Sequence, residues 1–502
     1  MRVASEGKTV RIRRVLVLAV SLILATSGCR WIVRASVDSA GNQANGDSHE
    51  VALSADGRFV AFESDATNLV PNDTNGDRDV FVRDNRTGAV ERVFETPYLV
   101  DLSEDARYVG VLDLGLCGGV TRWALWIHDR QTGINECVQE GVRAGPDSHL
   151  YDSIVFSATA RFVASANGGI SVLNRTTNQV EEIPIPSGHS DARDVDISDD
   201  GRRVAFNTYE ERIISCRPPP FGCMPPVAIP ADVFVHDRRS GTTDQVPLPG
   251  PDGYFAGDPS ISGDGRWLAY ALATEVVNPP DVFFVNSGTW IYDVQTGTTE
   301  PVSVDPDGIV RDATDVSISD DGRSVAFSGG AGLDPEYPSN GGIYVRDMVE
   351  ARTTLINTNT SGTPAHGQLF DLEIADDARY VAFTSLSTDL VGGDTNGASD
   401  VFLRAIPLPR IESVAPSSAA RGTSTKITIL GGGFAPQPTV QIGEGVSVTA
   451  VNRVSEHEVS VRITVNALAP TGARTVLVKN TGTGPGPAAG DTGACNSCLT
   501  IT

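Results

Sequence analysis

A short phrase returns seven times along the 502-residue chain. It combines an acidic residue, a small residue and an arginine with the apolar residues that follow, as in LSADGRFVAF at 53–62 and ISDDGRSVAF at 318–327. The intervals between the arginines run from 41 to 64 residues, and the arginines are Arg58, Arg107, Arg161, Arg202, Arg266, Arg323 and Arg379. A recurrence with this period indicates a protein built from structural repeats.

Each repeat predicts four antiparallel strands. The phrase itself is a two-strand hairpin, because Asp-Gly favours a tight turn and the residues after the arginine are almost continuously apolar. A third strand such as DVFVRD (79–84) follows a variable loop, and a more polar fourth strand such as AVERVF (89–94) follows a short turn. Repeated four-stranded units without a helical period favour a β-propeller over a linear solenoid, which would need capping repeats.

The two ends of the repeat region predict how the ring closes. The seventh unit has three strands, and after DVFLRA (400–405) the chain enters a proline-containing segment. A spare strand, WIVRAS (31–36), precedes the first repeat. Pairing this strand with the seventh unit would close a seven-bladed β-propeller and remove an exposed sheet edge. The third repeat has Thr159-Ala160 in place of Asp-Gly, so six regular blades and one degenerate blade is an alternative count.

The repeats resemble the WD40-like (PD40) repeat of TolB-type propellers. The resemblance rests on Ser-x-Asp-Gly-Arg, on the Asp-Val-Phe-Val-Arg-Asp strand and on Asp-Thr-Asn-Gly at 73–76 and 394–397, and it covers about residues 31–405. It implies the fold. It implies little about function, since such repeats occur both in periplasmic scaffold proteins and as gating domains of peptidases.

Residues 1–29 are predicted to be a signal peptide of lipoprotein type. A basic start is followed by an apolar run from Val15 to Ala25 that is too short to span a bilayer. The run ends in Ala25-Thr26-Ser27-Gly28-Cys29, which resembles a bacterial lipoprotein box in which Cys29 is lipidated. Ordinary cleavage near Gly28 is the alternative. We therefore expect an exported protein, periplasmic or at the cell surface, whose propeller (30–405) sits close to the membrane.

Residues 406–502 predict a second, immunoglobulin-like β-sandwich. Strands rich in Val, Ile and Thr alternate with glycine-containing turns, as in PTVQIGEGVSVTAVNRVS (438–455) and ARTVLVKN (473–480). The Ser-Val-x-Pro opening, the Gly-rich segment before Phe434 and the Gly-Ala-Arg-x-Val-x-Val strand are similar to IPT/TIG modules. That similarity implies a domain that spaces, docks or binds partners and carbohydrates.

Charge and cysteines narrow the function classes. The formal net charge of −24 disfavours nucleic-acid binding and predicts repulsion from an anionic membrane surface. Apart from Cys29, six cysteines form three local pairs, which in an exported protein favours disulfides. A redox or zinc role for Cys495-x-x-Cys498 is the alternative, but it would call for a helix N-terminus or four ligands. The predicted pairs are Cys117–Cys137, Cys216–Cys223 and Cys495–Cys498.

Alignment of the repeats places carboxylates at one position of five repeats, four residues before the hairpin serine or its equivalent. This position is expected to begin the innermost strand, so the side chains would surround one mouth of the channel. They could bind a cation or a cationic ligand, or each could cap a strand by accepting hydrogen bonds from backbone N–H groups of the neighbouring blade. The residues are Glu50, Asp194, Asp258, Asp315 and Asp371.

A second candidate is an acidic loop with oxygen ligands at alternating positions, Asp73, Asn75, Asp77 and Asp79. It suggests Ca²⁺, the one cofactor to which the sequence points, although the loop lacks the glycine and the distal glutamate of an EF-hand. A turn stabilised by Asp and Asn side chains is the alternative. A partial copy of the pattern occurs at Asp394, Asn396 and Asp400.

The largest departure from the repeat is the segment 207–231, whose Phe221 and Met224 could form a docking loop or merely decorate the surface. Nucleophile-elbow, zinc-helix and phosphate-loop motifs do not occur in the sequence. We therefore predict a non-enzymatic binding or scaffold protein with a protein partner in the cell envelope. The alternatives are a protein that binds or hydrolyses a carbohydrate or envelope polymer at the acidic mouth, with or without Ca²⁺, and a purely structural surface protein.

Overall fold

The computed structural model describes residues 32–95, 98–117, 120–140, 153–166, 169–189, 191–212, 216–217, 222–223, 227–249, 254–278, 281–349, 351–359, 361–406, 410–432, 434, 438–455, 458–480 and 492–502. In these ranges every regular element is a β-strand, which confirms the all-β prediction. The same residues contain no apolar helix long enough to span a membrane.

Seven four-stranded antiparallel sheets follow one another, and we number them in chain order. Sheet 1 holds β2 (Ser48–Leu53), β3 (Phe59–Ser64), β4 (Asp79–Asp84) and β5 (Val90–Glu95). Sheet 2 holds β6 (Tyr98–Leu102), β7 (Tyr108–Cys117), β8 (Val120–Asp129) and β9 (Ile134–Glu140). Sheet 3 holds β10 (Ser153–Phe156), β11 (Phe162–Ala166), β12 (Ile170–Asn174) and β13 (Gln179–Ile183).

Sheet 4 holds β14 (Asp191–Ile197), β15 (Arg203–Arg212), β18 (Val227–Asp237) and β19 (Thr242–Gln245). Sheet 5 holds β20 (Tyr254–Ile261), β21 (Trp267–Asn278), β22 (Asp281–Asp293) and β23 (Thr298–Pro301). Sheet 6 holds β24 (Ala313–Ile318), β25 (Ser324–Gly329), β26 (Gly342–Asp347) and β27 (Arg352–Leu355). Sheet 7 holds β28 (Leu369–Ile374), β29 (Tyr380–Ser385), β30 (Asp400–Ala405) and β1 (Ile32–Arg34).

The sheets form a closed series of contacts. The first strand of each sheet packs against the preceding sheet, and β2 of sheet 1 packs against β28, β29 and β30 of sheet 7. The ring has two faces. We call the side with the turns between first and second strands, such as 54–58, the hairpin face. We call the opposite side, with the connections between second and third strands such as 65–78, the loop face.

The N-terminal strand completes sheet 7, as the sequence predicted. In β1, Ile32 pairs with Arg404 and Arg34 pairs with Phe402 of β30. An ion-pair cluster fixes the strand: Arg34 lies 3.2 Å from a carboxylate oxygen of Asp394 and 3.2 Å from one of Asp400. Both carboxylates are buried.

The same cluster recurs in sheet 1, where Arg92 of the fourth strand contacts Asp73 at 3.1 Å and Asp79 at 2.8 Å. Arg34 therefore occupies in sheet 7 the place that a fourth-strand arginine occupies in sheet 1. This equivalence supports β1 as the missing outer strand.

The recurring phrase encodes the hairpin turn. In sheet 1 the Ser54 hydroxyl donates to Asp56 and accepts from the backbone N–H of Phe59, while Asp56 accepts from the N–H of Arg58. The guanidinium of Arg58 donates two hydrogen bonds, of 2.7 and 3.2 Å, to the carboxylate of Asp84, the last residue of the third strand. The equivalent ion pairs are Arg107–Asp129, Arg202–Asp237, Arg266–Asp293 and Arg323–Asp347.

The glycine of the turn allows close packing between sheets. Gly322 has φ of +67°, and a Cβ there would overlap the ring of Trp267 from the preceding sheet. Gly297, in an outer turn, has φ of +72°, but its nearest neighbour is the hydroxyl of Tyr292 at 3.9 Å from a Cβ.

We expect Gly322→Ala to lower the free energy of unfolding by about 1–3 kcal/mol more than Gly297→Ala. Both substitutions place alanine at positive φ, so the difference isolates the clash with Trp267. Urea denaturation followed by tryptophan fluorescence measures it, and equal losses for the two variants would show that the sheets are not packed in this way.

The segment 207–231 is more regular than the sequence suggested. Strands β15 and β18 extend into it as a paired ribbon, and beyond them β16 (Cys216–Arg217) pairs with β17 (Gly222–Cys223). Cys216 and Cys223 lie opposite each other in that pairing. Phe221 and Met224, the predicted docking residues, lie outside the described residues.

Two further four-stranded sheets share one hydrophobic core after residue 409. The first contains β31 (Arg410–Ala415), β33 (Ser424–Gly432), β36 (Glu458–Val465) and β35 (Val446–Ser455). The second contains β32 (Ser418–Ala419), β38 (Thr492–Ile501), β37 (Gly472–Asn480) and β34 (Pro438–Ile442). The core draws Ile427 and Val461 from the first sheet and Val476 and Leu499 from the second.

Candidate functional site

The five predicted mouth residues lie in the first strands of five different sheets. The sequence predicted that they would begin these strands, but they lie within them. At each position the register to the second strand shifts at a β-bulge. Glu50, Asp258 and Asp315 adopt φ values of 38°, 51° and 46°. The same local conformation therefore recurs at these positions, near the loop-face ends of the first strands.

The charges of these side chains act on one another within two groups. Burial, reinforced by the charges of Asp371 and Glu63, raises the pKa of Glu50 to about 8. Burial, reinforced by the charges of Asp194 and Asp315, raises the pKa of Asp258 to about 7. Sheets 7 and 1, and sheets 4, 5 and 6, thus bring their acidic groups within mutual range.

Asp194 has a more structured environment than the other mouth residues. Its carboxylate accepts a hydrogen bond of 2.6 Å from the amide of Asn207 and one of 2.9 Å from the hydroxyl of Tyr209. Burial nevertheless raises its pKa, against the opposing effect of these hydrogen bonds. A cationic group entering the mouth would meet a fixed carboxylate at this point.

The capping role considered for the mouth residues belongs to another repeat position, two residues before the hairpin serine or its equivalent. Asp101 accepts a hydrogen bond of 2.7 Å from the N–H of Phe156 in sheet 3, and Asp196 accepts one of 2.7 Å from Ile261 in sheet 5. Glu373 closes the ring by accepting from the N–H of Leu53 in sheet 1 at 3.2 Å. Ser260 and Ser317 make the corresponding bonds to sheets 6 and 7.

These three carboxyl groups are deep in the ring. Burial raises the pKa of Asp101 and of Asp196 to about 7, and it raises the pKa of Glu373 well above its usual range. The middle of the channel is therefore acidic as well, although its carboxyl groups serve to join neighbouring sheets.

A third acidic layer lies at the hairpin face, where the residue after the hairpin serine projects towards the axis in four repeats. Glu104, Asp320 and Asp376 have carboxylate oxygens within 4.8 Å of one another. Asp199 joins them, because a Cβ at Gly263 would lie only 2.5 Å from Asp199 and 2.6 Å from Asp320. Glycine in the fifth repeat leaves the space that these two carboxylates fill.

We call Glu104, Asp199, Asp320 and Asp376 the hairpin-face cluster. Burial and crowding of these carboxyl groups raise their pKa values. Burial and the neighbouring charges raise the pKa of Glu104 to about 9, of Asp376 to about 8 and of Asp320 to about 7. One carboxylate oxygen of Asp376 is buried and has no hydrogen-bond partner. Oxygen donors at this spacing could share protons or hold a hard divalent cation such as Ca²⁺.

The predicted calcium loop has a different set of contacts. Arg92 reaches both Asp73 and Asp79, and the amide of Asn75 donates to Asp79 at 2.9 Å. The oxygen of Asn75 accepts from the N–H of Asp77 at 3.3 Å, as in an Asx turn. A guanidinium thus neutralises the carboxylates that a cation would need, which favours the turn over the calcium site.

The cysteines are described in part. Cys495 and Cys498 form a disulfide in β38, at a register shift against β37, and both pack against the core of the second domain. Cys137 is disulfide-bonded, and its pairing with Cys117 stays a prediction. The Cys216–Cys223 bond also stays a prediction, and Cys29 lies outside the described residues.

Sequence comparison of the repeats identified the recurrent position of the five mouth carboxylates but missed the other two acidic layers. The hairpin-face position reads Ala55, Glu104, Ala158, Asp199, Gly263, Asp320 and Asp376 along the seven repeats. Four carboxylates combined with three very small residues in one column were a usable signal, since a position where side chains converge favours such a combination. The capping position mixes Asp, Glu and Ser, and its role depends on contacts between sheets that no single repeat reveals.

Comparisons with known proteins find limited similarity. A family model described as quinohemoprotein amine dehydrogenase, alpha subunit domain III, matches residues 408–483. A search of curated proteins finds no match.

The structural neighbours are β-propellers. An oligogalacturonate lyase from Vibrio parahaemolyticus has 12% identity and a TM-score of 0.47, over 75% of this chain and 93% of that chain. The β-propeller domain of the Trilobed protease from Pyrococcus furiosus has 13% identity and a TM-score of 0.43, over 72% and 94%. TolB from Acinetobacter baumannii has 16% identity and a TM-score of 0.33, over 61% and 62%.

Proposed function

We propose that residues 30–405 form a seven-bladed β-propeller of TolB type and that residues 406–502 form an IPT/TIG-like, immunoglobulin-like sandwich. The seven sheets in contact sequence and the pairing of β1 with β30 support the first assignment. The two sheets around one core support the second.

We further propose that the mature protein is exported, anchored to a membrane through Cys29, and acts as a non-enzymatic binding or scaffold protein. Its loop face and channel mouth would hold a protein partner in the cell envelope through a cationic group. The observation that carries this proposal is a carboxylate at the same bulged position in the first strands of five sheets, Glu50, Asp194, Asp258, Asp315 and Asp371. Carboxylates in a recess focus the negative potential and attract a basic side chain.

A second function has its own support. The pKa values of Glu50 and Asp258, about 8 and 7, suit a general acid at neutral pH. The same mouth could therefore bind or hydrolyse a carbohydrate or envelope polymer, with Ca²⁺ held by the remaining carboxylates.

Titration calorimetry of the mature protein with a tetralysine peptide tests the first function. At pH 9, above the pKa values of Glu50 and Asp258, the variant Glu50→Gln/Asp258→Asn/Asp315→Asn should raise the dissociation constant about tenfold or more at low salt, because it then removes three charges from the mouth. The matched control is Glu182→Gln/Asp244→Asn/Glu300→Gln, which removes the same charge from exposed outer strands and should leave binding almost unchanged.

The outcomes separate the candidates. Peptide binding that both variants weaken equally would reduce the effect to net charge and contradict the proposed mouth. Calorimetric binding of Ca²⁺ alone, together with cosedimentation with purified peptidoglycan that Glu50→Gln abolishes, would support the second function instead. Absence of binding to peptide, Ca²⁺ and peptidoglycan would contradict both.

A further inference from the structure

The two chain segments that leave the ring do so on the same face. Strand β30 runs from the loop face at Asp400 to the hairpin face at Ala405, where the N–H of Ile406 donates to Arg379 in a hairpin turn. Strand β1 runs antiparallel to β30, and its first residue, Ile32, pairs with Arg404. The segment before β1 and the segment before the second domain therefore both meet the ring at the hairpin face of sheet 7.

The second domain also contacts this face. A guanidinium N–H of Arg323 in sheet 6 lies 3.5 Å from the carbonyl oxygen of Ile411 in β31. The Arg323 side chain is 13% exposed, whereas the equivalent side chains of Arg58 and Arg266 are 37% and 41% exposed. The second domain thus covers this turn.

The rim of the hairpin face carries paired charges. On the hairpin face the strand-ending aspartates of sheets 1, 2, 4, 5 and 6 each pair with an arginine. On the loop face, five carboxylates lie near the ends of the first strands, and the positive charges of Arg78 and Arg193 oppose the rise in the pKa values of Glu50 and Asp194. The hairpin face also carries Glu104, Asp199, Asp320 and Asp376 near the axis, so charge pairing distinguishes only the outer rims and the length of the tether decides the orientation.

We propose that the hairpin face lies against the membrane and that the acidic mouth on the loop face points away from it. This inference rests on the proposed lipid anchor at Cys29. Only residues 29–31 separate the anchor from β1, a reach of about 10 Å for extended chain. Strands of six residues make the ring about 20 Å deep, so such a tether cannot bring the loop face to the lipid. A partner of the mouth must then approach from the aqueous side.

Energy transfer to the membrane tests this orientation. Thr87 lies on the hairpin face and Thr74 on the loop face of the same sheet, and both are exposed. The mature acylated protein, as Thr87→Cys or Thr74→Cys, is labelled with a donor fluorophore. It is then reconstituted on vesicles of phosphatidylethanolamine and phosphatidylglycerol that contain an acceptor-labelled lipid. The parent chain, treated identically, gives the background labelling.

We expect several-fold more transfer from the Thr87→Cys label than from the Thr74→Cys label, and none from either when Cys29→Ser is added. Equal transfer, or more from the Thr74→Cys label, while Cys29→Ser still abolishes it, would overturn the orientation and leave the anchor intact. Transfer that Cys29→Ser does not change would overturn the anchor, and with it the membrane part of the proposed function and this inference.

Discussion

Replacing Arg34 with alanine is expected to lower the free energy of unfolding by about 3–5 kcal/mol. The guanidinium pairs with Asp394 and Asp400, whose side chains are 2% and 0% exposed. Removal of the arginine leaves two buried carboxylates without their counter-ion and loosens the strand that closes the ring. Urea denaturation followed by circular dichroism measures the loss.

Two further variants make the Arg34 result specific. Arg92→Ala breaks the equivalent cluster in sheet 1, where the arginine is 20% exposed, so water can partly replace it and a smaller loss is expected. Arg34→Met combined with Asp394→Asn and Asp400→Asn removes all three charges and should recover much of the stability. If Arg34→Ala cost less than about 1 kcal/mol, the range of a surface ion pair, the closing cluster would not be as described.

The free energy of unfolding is expected to fall by on the order of a few kcal/mol between pH 5 and pH 8. The pKa values of Glu104, Asp320 and Asp376, about 9, 7 and 8, lie above those of the unfolded chain. The stability from these groups is therefore fully present below about pH 4, and it is lost as the pH rises through their folded pKa values. Partial exposure to water limits the size of the effect.

Carboxyl groups with lowered pKa values make the protein less stable at acid pH. Burial acts to raise the pKa of Asp84, but hydrogen bonds from the guanidinium of Arg58 and from backbone N–H groups outweigh it and lower this pKa to about 2. The stability from this group is present above about pH 4 and is lost as the pH falls towards 2. We therefore expect maximal stability near pH 5, at about the ordinary carboxyl pKa values and below the raised ones.

Denaturation at a series of pH values measures this profile. Asp320→Asn/Asp376→Asn should reduce the fall between pH 5 and pH 8, leaving the part due to the other carboxyl groups with raised pKa values, whereas Asp244→Asn/Glu300→Gln, on exposed outer strands, should preserve it in full. A profile that rises from pH 5 to pH 8 would contradict the crowding of the hairpin-face cluster.

The sequence predicted the sheets well because each repeat carries its own local signals. Ser54, Asp56 and Gly57 define a turn whose hydrogen bonds lie within six residues, so the turn can be identified in any copy. The closing strand was predictable for a different reason, namely that one repeat lacked a strand and one strand lacked a repeat. The ribbon in 207–231 was missed, since its proline-rich composition disfavours strands.

The site was less accessible to sequence reasoning because it depends on contacts between repeats. The position of the mouth carboxylates could be aligned, but their place within the strand depends on a β-bulge that composition does not show. Asp101 looked ordinary in its own repeat, and its hydrogen bond goes to Phe156 of the next sheet. The acidic loop at Asp73 and Asp79 suggested Ca²⁺ because the arginine that pairs with both residues comes from the fourth strand, well outside the motif.

Hydrogen exchange of the N-terminal strand tests ring closure most directly. The backbone N–H of Ala35 donates to the carbonyl of Val401 at 2.7 Å, and Val33 pairs with Leu403. We predict that the amides of Val33 and Ala35 exchange as slowly as those of Val381 and Phe383 in the core of sheet 7. Exchange of the two N-terminal amides at the rate of an unstructured chain, with the core of sheet 7 protected, would contradict closure of the ring by β1.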